Sequence, residues 1–158
     1  MLLADVVATS TEVASTRSRK AKVAAFAELL SRVAASSADE IETVTSYLAG
    51  SLRQRRTGLG WRSMQSLPEP AAEPSLRVLE VHEAFDHIAA LSGSGSQGAR
   101  AAATAELFAR ATAAEQPWLR GIVTGEVRQG ALDSLVQEGL AAAGGVPLAA
   151  VRRAAMMA

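Results

Sequence analysis

Residues 121–158 read GIVTGEVRQGALDSLVQEGLAAAGGVPLAAVRRAAMMA. Within them Leu132, Leu135, Val136, Gly139, Leu140 and Ala143 recur at spacings of three and four, which makes a helix with one apolar stripe. A glycine inside a helix costs about 1 kcal/mol relative to alanine. Gly139 on that stripe therefore predicts a second helix crossing closely at this point. Just upstream, Gly125-Glu-Val-Arg-Gln-Gly130 is a glycine-bracketed turn carrying Arg128. Downstream, Pro147 suits the first position of a further short helix, where its missing N–H costs nothing.

Working outward, the same period fills most of the chain. Leu2, Leu3, Val6, Val7 and Val13 predict a first helix ending near Ser15. Thr16 or Ser18 caps a second, with Val23, Phe26, Ala27 and Leu30 inward. Ser37 caps a third, with Ile41, Val44, Tyr47 and Leu48 inward and Gly50 as its stop. The stretch SLRQRRTGLGWRSM (51–64) reads as a short helix, a loop and another turn. SLPEPAAEPS (66–75) cannot continue a helix. Ser75 then caps a long helix with Val78, Val81, Phe85 and Ile88 on its face, which ends at the flexible SGSGSQG (92–98). A helix from about Gly98 to Thr112 buries Leu107, Phe108 and Ala111. Thr112 caps another, with Trp118, Leu119, Ile122 and Val123 inward. Strand-like alternation is missing. The expected fold is all-α: one compact multi-helix domain of two helical subdomains, 1–65 and 75–158, joined by a linker at 66–74.

Composition agrees. Of 158 residues 49% are hydrophobic but only 4% aromatic, so the core is built from Ala, Leu and Val. Alanine is the best helix former. The formal net charge is +0, so no overall basic field draws a polyanion, and charge placement must carry that argument. Apart from Lys20 and Lys22 every basic side chain is arginine, whose planar fork suits bidentate phosphate contacts. The lack of cysteine excludes disulfides, thiol catalysis and thiolate-bound zinc. The start MLLADVV has no basic flank and carries Asp5 in its apolar run, so it is not a secretory signal. No apolar stretch is long enough to span a membrane. An intracellular, cytoplasmic protein is expected.

Three arginine-bearing segments could carry chemistry. Arg17, Arg19, Lys20 and Lys22 fall at a helix start, where backbone N–H groups already favour an anion. Arg53, Arg55, Arg56 and Arg62 follow one another with no acid between them, and Thr57, Gly58 and Gly60 allow close approach of a ligand to the backbone. Trp61 could stack on a base or sugar, although a single tryptophan is more often core. Gly125, Arg128 and Gly130 place a guanidinium and exposed amides at a helix N-terminus, a fit for one phosphate. Ser94 and Ser96 could add hydroxyls. Each segment has a plainer reading as a solvated turn. His82 and His87 are five apart, roughly 140° around the wheel, so they miss the four-residue spacing of a helical zinc site. No metal site and no nucleophile–base constellation is legible.

Taken together, TRSRKAKVAAFAELL (16–30), YLAGSLRQRRTGLGWRSM (47–64), the GSGS loop and GEVRQGALDSLVQEGLAAAGGVPLAAVRRAAM (125–156) resemble the N-terminal DNA-binding domain of ATP-dependent DNA ligases, especially the actinobacterial kind. The resemblance implies an all-helical domain that grips nicked duplex DNA across the minor groove, mostly through phosphates. It implies DNA contacts by Gly125, Arg128 and Gly130, by Arg55, Arg56, Gly58, Gly60 and Arg62, and by Arg17, Arg19 and Lys20. It also implies a monomer that works on the nucleoid, with duplex DNA and its own catalytic domains as partners. A ligase takes AMP on the lysine of a K-x-D-G motif, and neither Lys20 nor Lys22 is followed by that pattern. Adenylation and OB-fold domains, with their ATP and Mg, are therefore expected beyond Ala158. This chain needs no cofactor and should join nothing alone. Two other readings stand beside this one. AAAGGVPLAAVRRA (141–154) resembles a helix-turn-helix of a transcriptional regulator, and the whole chain could be a helical protein–protein scaffold.

Overall fold

The computed structural model describes residues 1–126 and 130–143. Seven α-helices run through them: α1 (Leu3–Ser15), α2 (Arg19–Val33), α3 (Ala38–Leu48), α4 (Val78–Ala90), α5 (Ser96–Ala109), α6 (Glu115–Thr124) and α7 (Gly130–Ala143). One 3₁₀ turn, Arg62–Met64, lies in the long connection between α3 and α4. Among the described residues there is no strand, only two isolated bridges, Leu2 with Arg77 and Ala71 with Thr112. No helix is long and apolar enough to cross a membrane, again among the described residues.

The glycine on the stripe of α7 does what its cost predicts. A Cβ built on Gly139 would stand 2.8 Å from Phe26 Cβ and 3.3 Å from the Ala27 backbone nitrogen. Both atoms belong to α2, so α7 lies directly on it. α2 also packs on α1 and α3, α3 on α4, α4 on α5, and α6 on α1. The apolar faces meet in one cluster that draws on both halves of the chain, from Leu3 and Phe26 through Tyr47, Phe85 and Phe108 to Leu119 and Leu140. Fully burying one such leucine or phenylalanine is worth about 1.5–3 kcal/mol. Trp118 meets Tyr47 edge-on at 5.4 Å between centroids.

The caps follow the expected chemistry in three places. Ser18 Oγ accepts from Ala21 N at 3.1 Å, and Ser37 Oγ accepts from Glu40 N at 3.2 Å. Thr112 and Glu115 form a reciprocal pair: Glu115 N donates to Thr112 Oγ1 and Thr112 N to Glu115 Oε1. Three sequence expectations are corrected. Ser75 does not cap α4; Arg77 occupies that position, and its N–H donates to Glu80 Oε1 at 3.0 Å. Residues 51–60 hold no helix, because Arg53 and Gln54 are pulled sideways into a polar cluster. α5 begins at Ser96 rather than Gly98, with Gly95 at φ +80 before it. The helix expected from Pro147 lies outside the described residues.

The Pro-rich segment is exposed at Glu69, Pro70 and Ala72–Pro74 but tied at both ends. Ala71 N donates to Ala111 O at 2.9 Å, Gln116 Nε2 donates to Pro68 O at 3.1 Å, and Leu3 N donates to the carbonyl of buried Leu76 at 2.8 Å.

Candidate nucleic-acid interface

The connection after α3 sorts its cations by direction. Gly50, at φ +83, turns the chain out of α3, and Ser46 Oγ donates to Ser51 O at 2.9 Å. Arg53 then points inward. Its guanidinium donates to Asp39 Oδ1 at 2.7 Å, Thr43 Oγ1 at 3.0 Å and Glu42 Oε2 at 3.1 Å. Gln54 Nε2 reaches Asp86 Oδ1 at 2.6 Å and the His82 carbonyl at 3.3 Å. Acids that are remote from this loop in sequence thus converge on it in space. Arg53 is a structural tie between α3, the loop and α4, and it drops out of the basic set read from the sequence. Charge-assisted bonds of this kind are short and strong. Arg53→Ala should lower stability by about 2–3 kcal/mol, read by urea unfolding, because it strips a mostly buried guanidinium from Glu42.

With Arg53 and Gln54 fixed, Arg55 and Arg56 face solvent. Thr57 turns back, buried, and its hydroxyl accepts from Leu59 N at 3.2 Å. Gly58 has φ +75 and lies against an arginine the sequence did not flag: a Cβ there would come within 2.7 Å of Arg100 Nε. Arg100, on α5, donates to Leu91 O at 2.8 Å, which ties α5 to the end of α4. Gly60 has nothing within 4 Å of its Cβ position. Trp61 is 57% exposed, so it is not a core residue. Arg62 is exposed, and Met64 returns to the core.

This geometry makes a groove of about 410 Å³, lined by Gly58, Arg62, Ser63, Gln97, Arg100 and Thr104 among others. The N-terminus of α5 has no side-chain cap, and Gln97 of its first turn lines that groove. Ser96 opens the helix, half-buried, and Ser94 is exposed in the turn before it, where Ser96 N donates to Gly93 O at 3.2 Å.

The other cations gather elsewhere. Ser18 N donates to Thr16 Oγ1 at 3.2 Å, which shapes the α1–α2 turn. Arg17, Arg19 and Lys20 are exposed there. Arg17 and Lys22 line a second groove of about 600 Å³ with Thr16, Trp118 and Glu126, and it shares no residue with the first. Arg19 instead ties α2 to α7, at 3.0 Å from Glu138 Oε2 and 3.4 Å from Ser134 Oγ. Gly125, at φ +80, ends α6, and Gly130 opens α7. Arg128 lies outside the described residues. Among the described residues Arg17, Lys20, Arg55, Arg56 and Arg62 have no carboxylate at ion-pair distance.

Two carboxyls are held below their ordinary range. Asp39 is lowered chiefly by its hydrogen bond from Arg53, and Glu80 by the Arg77 N–H and then Arg110. A carboxyl whose folded value is depressed adds stability that is present above its unfolded value and lost as pH falls through the folded one. Thermal melts should therefore drop modestly below about pH 4, and Asp39→Asn should flatten that dependence.

Residues 62–141, half of the chain, match the family model described as DNA ligase N terminus. The chain belongs to that family. It is 71% identical over 160 residues to a probable DNA ligase of Nocardioides sp., covering 100% of this chain and 31% of that protein. It is 65% identical over 158 residues to a probable DNA ligase of Kineococcus radiotolerans, covering 100% of this chain and 31% of that protein. It is 52% identical over 159 residues to one of Mycolicibacterium vanbaalenii, covering 99% of this chain and 30% of that protein. The chain thus spans about a third of the length of these relatives. No solved structure matches it.

Proposed function

We propose that the chain is the non-catalytic DNA-binding domain of an ATP-dependent DNA ligase. It grips nicked duplex DNA through backbone phosphates and the minor groove, and supports nick sealing by adenylation and OB-fold domains that follow residue 158 and use ATP and Mg. The single observation that carries this is the loop 55–62 in a member of the ligase family. Among the described residues exposed Arg55, Arg56 and Arg62 meet no carboxylate, and Arg62 shares a groove with Gln97 in the first turn of α5. Exposed guanidinium groups on one loop suit phosphate oxygens, which position a protein on a duplex without reading its sequence. Arg17, Lys20, Gly125 and Arg128 supply a second phosphate contact in this reading, and Arg19 contributes only if it leaves Glu138. The protein works as a monomer in the cytoplasm, on the nucleoid.

Fluorescence anisotropy with two labelled duplexes of unrelated sequence tests the proposal. Equal affinities are expected. A preference of about 10³ or more for one duplex would favour a sequence-specific regulator. Absence of binding to either at low salt would leave a protein–protein scaffold.

A further inference from the structure

We propose that Trp61 is an apolar contact to the sugar–base wall of the duplex minor groove, seated between arginines that hold the flanking phosphates. The inference rests on the duplex-binding reading above and goes beyond it, because neither the phosphate argument nor the family assigns a role to this indole. Trp61 is the one large apolar side chain exposed among the described residues. A lone exposed apolar residue needs no explanation in itself; three features set this one apart.

First, its backbone is fixed while its ring is turned away from the core. The Trp61 carbonyl accepts from Met64 N at 3.1 Å, and Gly60 N donates to Ser63 Oγ at 3.4 Å. On either side Leu59 packs against the core and Met64 is 3% exposed, so apolar anchors on both flanks are already seated. Second, no acidic residue occurs in the sequence between Glu42 and Glu69, and the exposed cations of that stretch, Arg55, Arg56 and Arg62, meet no carboxylate among the described residues. Third, a Cβ at Gly60 would meet nothing within 4 Å beyond its chain neighbours, so the backbone just before Trp61 is open to a ligand.

Exposed guanidinium groups and an exposed indole share this one loop, so its ligand must offer anions and apolar surface close together. Duplex DNA has that build, with two phosphate rows flanking a minor groove walled by deoxyribose and base edges. Proteins that enter this groove use apolar side chains for the purpose. The indole N–H is a donor, and the groove floor offers acceptors.

Tryptophan fluorescence of the 158-residue chain tests this directly. Trp118 is the other indole and is 8% exposed, so Trp118→Phe leaves Trp61 as the sole reporter. Adding an unlabelled duplex should quench the Trp61 emission and shift it to shorter wavelength, in step with binding read separately from a labelled duplex. If Trp118→Phe disturbs folding, the unaltered chain serves: its DNA-dependent emission change should fall sharply in Trp61→Phe, leaving only what Trp118 contributes from the second groove. Trp61→Ala should weaken duplex binding roughly tenfold. It should leave the salt slope unchanged, because no charge is removed, whereas Arg62→Ala should flatten that slope by about one unit. Binding with unchanged Trp61 emission and undiminished Trp61→Ala affinity would overturn the inference and leave the duplex-binding reading standing. An equal emission response to polyglutamate would also overturn it, since the surface would then read charge alone. Loss of all duplex binding by the unaltered chain would remove both.

Discussion

Replacing Arg55, Arg56 and Arg62 together by alanine should weaken binding to any duplex by roughly 10²–10³-fold at about 0.1 M salt. Each phosphate neutralised adds about 0.9 to the slope of log K against log salt, so three contacts add about 2.7. Removing them at a tenth of molar salt forfeits that many decades of affinity. All three guanidinium groups are exposed and none has a carboxylate at ion-pair distance among the described residues. The folded protein should therefore lose less than about 0.5 kcal/mol per substitution. Anisotropy titrations alongside urea unfolding check both halves. A loss of threefold or less, with folding intact, would mean that this loop does not face the duplex.

Gly139→Val should lower stability by about 3 kcal/mol, read from the urea midpoint followed by circular dichroism. A Cβ at this position would meet Phe26 Cβ and the Ala27 backbone, and neither can swing aside as the tip of a long side chain can. A branched side chain adds two more carbons to the same contact. The usual gain of replacing a helical glycine, about 1 kcal/mol, is smaller than the overpacking it causes here. Gly139→Ala should accordingly destabilise as well, by less. A valine variant as stable as the unaltered chain would show that α7 does not lie on α2 as described. Losses of this size matter because a domain has only about 5–15 kcal/mol in total.

These two sites differ in how far the sequence alone could reach them. Gly139 was legible because a glycine in the middle of a regular apolar stripe is costly unless a neighbour needs the space. The stripes of α3, α4 and α6 were legible for the same local reason, and so were the caps at Ser18 and Ser37. Ser75 misled because Leu76 pairs with the backbone of Leu3, which moves the helix start to Arg77 and Glu80. That pairing joins residues more than seventy apart, and no local pattern announces it. The basic loop was legible as a loop with arginines, but the inward turn of Arg53 depends on Asp39 and Glu42 arriving from another helix. Arg100 was missed because a lone arginine in an alanine-rich helix reads as a solvated face. Only the fold shows it pressed on Gly58. In sequence Trp61 allows stacking on a base or sugar beside the commoner place in the core; it is exposed, with Leu59 and Met64 taking the inward places on either side.

The central claim is that this domain holds duplex DNA chiefly by its phosphates and without reading the base sequence. The most direct measurement is the affinity of the 158-residue chain for one duplex across a series of salt concentrations. If about 4–6 phosphates are neutralised, log K should fall against log salt with a slope of roughly −4 to −5. A slope near zero, or no duplex binding at the lowest salt, would contradict the account.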